Sequence, residues 1–138
     1  SWPPGSHGTT FGGNPVSCAA GLATLKLVEA ELIANAAEVG DYAMARLVEM
    51  KERHPIIGDV RGKGLMIGIE LVRDRKTKER ATSERNRVIH RCFEKGVIML
   101  GCGTNSIRLC PPLVITREEL DIALGYLDET LTEVEAAI

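Results

Sequence analysis

The sequence predicts an α+β fold: a small antiparallel-rich sheet with helices on one face, preceded by a loop and a long helical segment. Three observations carry that prediction. Apolar residues recur at helical spacing between Val16 and Met50. The period changes to extended runs after His54-Pro55. Short apolar runs then alternate with glycine and proline breaks before one more helical pattern. The predicted order is helix, helix, strand, helix, strand, strand, helix.

Each element has a local cause. Residues 1–13 hold Pro3, Pro4, Gly5, Gly8, Gly12 and Gly13, which leave room only for a loop. Asn14-Pro15 then reads as a helix start, with Asn at the N-cap and Pro where its missing N–H costs nothing. Val16, Ala19, Ala20, Ala23 and Leu27 follow at helical spacing, and the small residues suit close packing. A second apolar stripe runs through Leu32, Ile33, Ala36, Val39, Ala43, Leu47 and Met50. Residues 16–52 form one bent helix or two. His54 precedes Pro55 and is pushed out of helical geometry, so the helix ends there. The expected division is a loop and connecting helix over residues 1–31, and a small domain over 32–138.

Val60-Arg61 and Leu65 to Leu71 read as extended, with Gly62 and Gly64 at a bend and Gly68 at a close approach of another backbone. Residues 73–80 read as a polar loop. Thr82 or Ser83 is the expected cap of a helix burying Val88, Ile89, Cys92 and Phe93, with Gly96 ending it. Val97–Leu100 is a predicted strand, 101–105 a turn, and Ser106–Leu109 a strand stopped by Pro111-Pro112. Thr116 and Glu119 form a capping box for the last helix, whose stripe is Leu120, Ala123, Leu124, Leu127, Leu131 and Val134.

Composition narrows the function. At 138 residues, 44% hydrophobic and 26% charged, the sequence has ordinary globular proportions and can bury a core. A net charge of −2 gives no strong overall pull toward nucleic acid or membrane. No apolar run reaches the roughly 18 residues of a membrane span, and no charged-then-apolar leader opens the sequence. Residues 73–91 carry eight basic side chains against Asp74, Glu79 and Glu84, but no interleaved aromatics, so they read as a solvated face. Cys18, Cys92, Cys102 and Cys110 form no CxxC pair, and with three histidines they predict no metal site. Reduced thiols in a cytoplasmic protein are expected; Cys102 and Cys110 are the pair placed to face each other across a hairpin. His54 and His90 read as structural or solvated, and His7 as a turn residue. Glu70 is placed to pair with Arg61 or Arg108.

One stretch stands out. Gly8-Thr9-Thr10-Phe11-Gly12-Gly13-Asn14-Pro15 packs hydroxyls and glycines against a helix start. Glycines let a backbone approach a ligand, and N–H groups at a helix start suit a phosphate. It is neither a Walker A loop nor a dinucleotide fingerprint. On physics alone it reads as a tight surface turn.

The segment GTTFGGNPVSCAAGLATLKLVE resembles the C-terminal part of class III aminotransferases, the pyridoxal-phosphate enzymes of the ornithine, acetylornithine and 4-aminobutyrate group. Asp59 to Glu70 (DVRGKGLMIGIE) looks like that family's first small-domain strand, and Ile107 to Leu113 (IRLCPPL) like its arginine-bearing strand. The three stretches occur in family order and the resemblance spans essentially the whole sequence. It implies the C-terminal small domain of a fold-type I enzyme. It also implies that Thr10, with Thr9 beside it, binds the cofactor phosphate of a neighbouring subunit in a homodimer, and that Arg108 grips a substrate carboxylate. The family's Schiff-base lysine lies upstream of the first stretch. Lys26, Lys51, Lys63, Lys76, Lys78 and Lys95 all lie in other contexts. No residue of this sequence is therefore assigned a catalytic role, and the chain alone is expected to be inactive. With no initiator Met, the sequence reads as a piece of something larger. The implied parent moves an amino group between an amine or amino acid and a 2-oxo acid. An aminomutase or racemase on the same scaffold is the first alternative, and a stand-alone non-catalytic binding domain the second.

Overall fold

The computed structural model describes residues 2–138, which fall into two compact units, one ending at Ile33 and the other Ala34–Ile138. In the first, a turn-rich loop leads into helix α1 (Pro15–Leu27). Asn14 caps it as the sequence predicts: its Oδ1 accepts from Val16 N at 3.0 Å and Ser17 N at 3.2 Å, with Pro15 at the first helical position. His7 stacks on Trp2 with 4.0 Å between ring centroids. No residue of α1 is buried, so the close packing expected of its small residues is not met within the chain. A π-helical turn, Val28–Leu32, lies between α1 and α2 (Ile33–Arg53), and Leu27, Val28 and Ile33 keep helical angles, so the helical run has a π turn within it and no loop.

The second unit holds α2 apart from its first residue, strands β1 (Ile57–Lys63), β2 (Met66–Asp74) and β3 (Glu79–Arg80), helix α3 (Thr82–Glu94), strands β4 (Leu100–Cys102) and β5 (Ser106–Leu109), and helix α4 (Arg117–Glu135). The sheet is antiparallel in the order β1-β2-β5-β4, with β3 paired to the end of β2. Alternation gives it two unlike faces. Ile67, Ile69, Leu71 and Ile107 bury one face in a single core with Val39, Ala43, Leu47, Val88, Cys92, Leu124, Leu127 and Leu131 from the helices. The other face carries Asp59, Arg61, Met66, Gly68, Glu70 and Arg108, none of them buried. An α+β sheet with helices on one face is therefore the architecture found.

Several local expectations are corrected. The stretch resembling a single strand is a hairpin, because Gly64 takes φ +54° and turns the chain between Lys63 and Met66. The tight approach is at Gly62, where an added Cβ would stand 2.5 Å from Met66 O, and not at Gly68, which has room. Residues 73–80 are not all loop: β2 runs to Asp74 and a turn leads into β3. Helix α3 has Ala81 at its N-cap and no side-chain cap, and its Phe93 faces outward. Ile33 is also exposed. The strand expected over 97–100 lies later, at Leu100–Cys102, since the turn needs only Gly103 at φ +55°, Thr104 and Asn105. The four cysteines are free, and Cys102 stands opposite Ser106 rather than Cys110.

Polar side chains, buried and exposed, tie the helices to the sheet. His54 lies between two carboxylates, Nδ1 at 2.7 Å from Glu135 Oε2 and Nε2 at 2.8 Å from Asp128 Oδ1. Glu135 also accepts from Ile56 N, so one carboxylate closes the end of α2 onto α4. Arg75 donates to the carbonyls of Lys51, His54 and Ile57, and Arg73 pairs with Glu79 and Glu84. The basic run is thus partly structural, not simply a solvated face.

Four carboxyls sit below the usual carboxylate range; at Asp74 the backbone N–H groups of Thr77 and Lys76 are the main cause. Burial pushes Asp128 up, but hydrogen bonds from Arg53 and His54 outweigh it. Burial likewise opposes the shift at Glu84, where its own backbone N–H, Ser83 and Arg73 win. The Lys95 ammonium is the main cause at Glu133. Each therefore stabilises the fold fully above its unfolded value of about 4 and loses that contribution as pH falls through the lower folded value. The thermal midpoint should hold between neutrality and about pH 5 and fall steadily below about pH 4. A midpoint unchanged down to about pH 2 would remove these groups from the account of stability.

Candidate functional site

The hairpin of β4 and β5 presents Arg108 on the open face of the sheet. Its strand alternates, so Ile107 points into the core and Arg108 away from it. Its cross-strand neighbours are Gly68 on β2 and Leu100 on β4. A glycine at 68 leaves open space beside the guanidinium; a Cβ there would meet only Arg61 O, at 3.9 Å. The expectation for Glu70 resolves toward Arg61, whose Nη1 lies 3.3 Å from Glu70 Oε2 and 2.9 Å from Asp59 Oδ2. Arg108 has no carboxylate partner among the described residues.

Beside Arg108 opens a cavity of about 350 Å³. Its walls include Ile98, Leu100, Cys110, Pro111, Ile115 and Ala123, and among the described residues Arg108 is the one charged residue lining it. Thr116 caps α4 next to this wall, with Oγ1 accepting from Glu119 N at 3.2 Å and Glu119 accepting from Thr116 N at 3.0 Å. An always-charged, five-donor fork at the edge of an apolar cavity can bind a carboxylate with an apolar body.

Thr9 and Thr10 lie in the first unit, Arg108 in the second. Both threonines are exposed. Thr9 Oγ1 accepts from Phe11 N at 3.4 Å, which folds the turn, and Asn14 N donates to Phe11 O at 3.2 Å. Gly13 takes φ +77°, a conformation a side chain would strain. The Thr10 hydroxyl makes no hydrogen bond among the described residues, and a Cβ at Gly8 or Gly13 would meet nothing. A hydroxyl and backbone N–H groups in an open glycine turn beside a helix N-terminus fit one end of a phosphate. No cluster of His, Cys, Asp and Glu that could hold a metal occurs among the described residues.

Sequence reasoning missed what holds the Arg108 hairpin in place. Arg85, on α3, donates to the carbonyls of Ser106 and Thr104, and Asn105 Nδ2 donates to Leu71 O at 2.7 Å. A signal for Arg85 was present: it shares the spacing of Val88 and Cys92, three and seven residues on, and so belongs to the buried side of α3.

The chain is similar to known proteins along nearly its whole length. The model of the family described as aminotransferase class-III matches residues 1–131. The chain is 47% identical, over 98% of its own length, to a leucine/methionine racemase of Thermococcus litoralis, and 50% identical, over 94%, to an isoleucine 2-epimerase of Lentilactobacillus buchneri. It spans 31% and 29% of those two proteins. The crystal structure of a Bacillus anthracis aminotransferase superposes with a TM-score of 0.87 at 40% identity, covering 93% of this chain and 30% of that one. No helix is long and apolar enough to cross a membrane among the described residues.

Proposed function

Since the chain belongs to the class III aminotransferase family, we propose that it acts as part of a longer pyridoxal-phosphate-dependent aminotransferase, moving an amino group between an amine or amino acid and a 2-oxo acid. The observation that carries the reading is Arg108: exposed and, among the described residues, without a carboxylate of its own and the one charge lining an apolar cavity. Its role is to grip the carboxylate of donor and acceptor and hold the apolar remainder against the cavity wall. Thr10 donates to the phosphate of the cofactor in the partner subunit, which makes the parent a homodimer. When bound, pyridoxal phosphate supplies an electron sink for the substrate carbon. A cytoplasmic parent suits the four free thiols, which stay reduced in that compartment.

No lysine of this chain is proposed to bind the cofactor, and the chain alone is inactive. Mixed with pyridoxal phosphate and reduced with borohydride, it should carry no stoichiometric label at any single lysine. The longer enzyme should carry one, at a lysine outside this chain. Full labelling of Lys26, Lys63 or any other lysine here overturns the assignment.

The identities to a racemase and an epimerase favour a second reading, amino-acid racemisation on the same scaffold. The two separate cleanly. Given one enantiomer of an amino acid and no oxo acid, a racemase produces the mirror form. An aminotransferase leaves the amino acid's handedness intact and, when a 2-oxo acid is added, passes the amino group to it.

A further inference from the structure

Arg85 is a buried cation without an acid. It is 9% exposed, and no carboxylate lies within ion-pair distance of it among the described residues. Nη1 donates to Ser106 O at 3.0 Å and Nη2 to Thr104 O at 3.1 Å, while Nε is buried with no partner. Desolvating a guanidinium for two carbonyls is costly, and an apolar side chain would fill the same space without that cost. What only the guanidinium offers is a rigid fork of donors.

The fork spans Asn105. That residue is itself tied to β2, by its side chain on Leu71 O and by Leu71 N donating to Asn105 O at 2.9 Å. Gly101, on the facing strand β4, makes the seat: a Cβ there would stand 2.9 Å from Arg85 Cζ. Two residues beyond the clamped Ser106 comes Arg108. We propose that Arg85 is a positioning residue, whose grip on the Thr104 and Ser106 carbonyls fixes the hairpin and so aims Arg108 at the substrate carboxylate. The proposal rests on the reading of Arg108 given above. Aim matters because a displacement of about 1 Å at a binding group can cost on the order of a hundred-fold in rate.

The test uses the longer, cofactor-loaded enzyme and a matched pair of substrates, an amino acid and the amine that lacks its carboxylate. In Arg85→Met the KM for the amino acid should rise roughly ten-fold while the amine stays within about two-fold. Arg85→Lys, able to reach one carbonyl, should fall between Met and the parent. Gly101→Ala keeps both arginines but fills the seat. It should reproduce the selective rise, and the Arg85→Met/Gly101→Ala double variant should be no worse than the single. Equal rises for both substrates, no rise, or an unaffected Gly101→Ala enzyme overturns the proposal. If Arg85→Met does not fold, Arg85→Lys and Gly101→Ala carry the same test. Arg108→Ala, run alongside, separates two failures. A selective Arg108 effect with silent Arg85 variants removes the positioning role alone. An unselective Arg108 effect removes the Arg108 reading, and this proposal with it.

Discussion

Replacing Arg108 with Ala should raise the apparent KM for amino-acid and oxo-acid substrates roughly thirty-fold to a few thousand-fold, and barely change it for simple amines. The range is that for removing one partner of a charged contact desolvated when substrate binds, about 2–5 kcal/mol. Arg108 stands on a short strand stopped by Pro111-Pro112, with Gly68 leaving space beside it and no carboxylate competing for its donors. Its fork suits two-point contact with a carboxylate, and its charge cannot be lost by deprotonation. Arg108→Lys keeps the charge, loses the fork, and should be intermediate. Steady-state kinetics with paired substrates decides the matter. Equal losses for amino acids and amines would mean that Arg108 supports the fold instead.

Replacing Thr10 with Ala should weaken cofactor retention in the assembled enzyme by roughly ten- to a hundred-fold or slightly more. One hydrogen bond to a charged phosphate is lost, about 1.5–3 kcal/mol. The hydroxyl is exposed and uncommitted within its own turn, whereas Thr9 spends its oxygen on Phe11 N. Thr9→Ala should therefore loosen the turn and weaken retention less than Thr10→Ala does. Equilibrium dialysis of the cofactor against the assembled enzyme measures both. Unchanged affinity in a correctly assembled Thr10→Ala enzyme would count against the phosphate contact.

How legible the site was depended on range. Asn14, Pro15, Thr116 and Glu119 act on backbone groups within four residues, so their roles were visible in the sequence and recur in the structure. The stripes of α2 and α4 were visible because burial on one face imposes a period, although Ile33 at the edge of its stripe is exposed. Arg108 and Thr10 were singled out through family resemblance; on physics alone the stretch holding Thr10 reads as a tight surface turn.

Other features were decided over long separations. His54 was structural or solvated on its sequence, and only α4, more than seventy residues away, brings Asp128 and Glu135 to its two nitrogens. Gly40 lay unremarked inside α2; the β1–β2 turn lies against it, and a Cβ would stand 2.6 Å from Gly64 Cα. Arg75 and Arg85 sat in a run read as solvated, yet their guanidinium groups satisfy backbone carbonyls at the ends of distant elements. The sequence by itself determined where α1 and α4 begin, which faces α2 and α4 bury, and that a sheet follows, since these depend on φ restriction, capping and period within a few residues. Tertiary structure alone decided which polar groups are buried together and where Arg108 stands relative to its supports. A charged side chain costs nothing to leave in water, so its type does not reveal whether the fold will find it a partner.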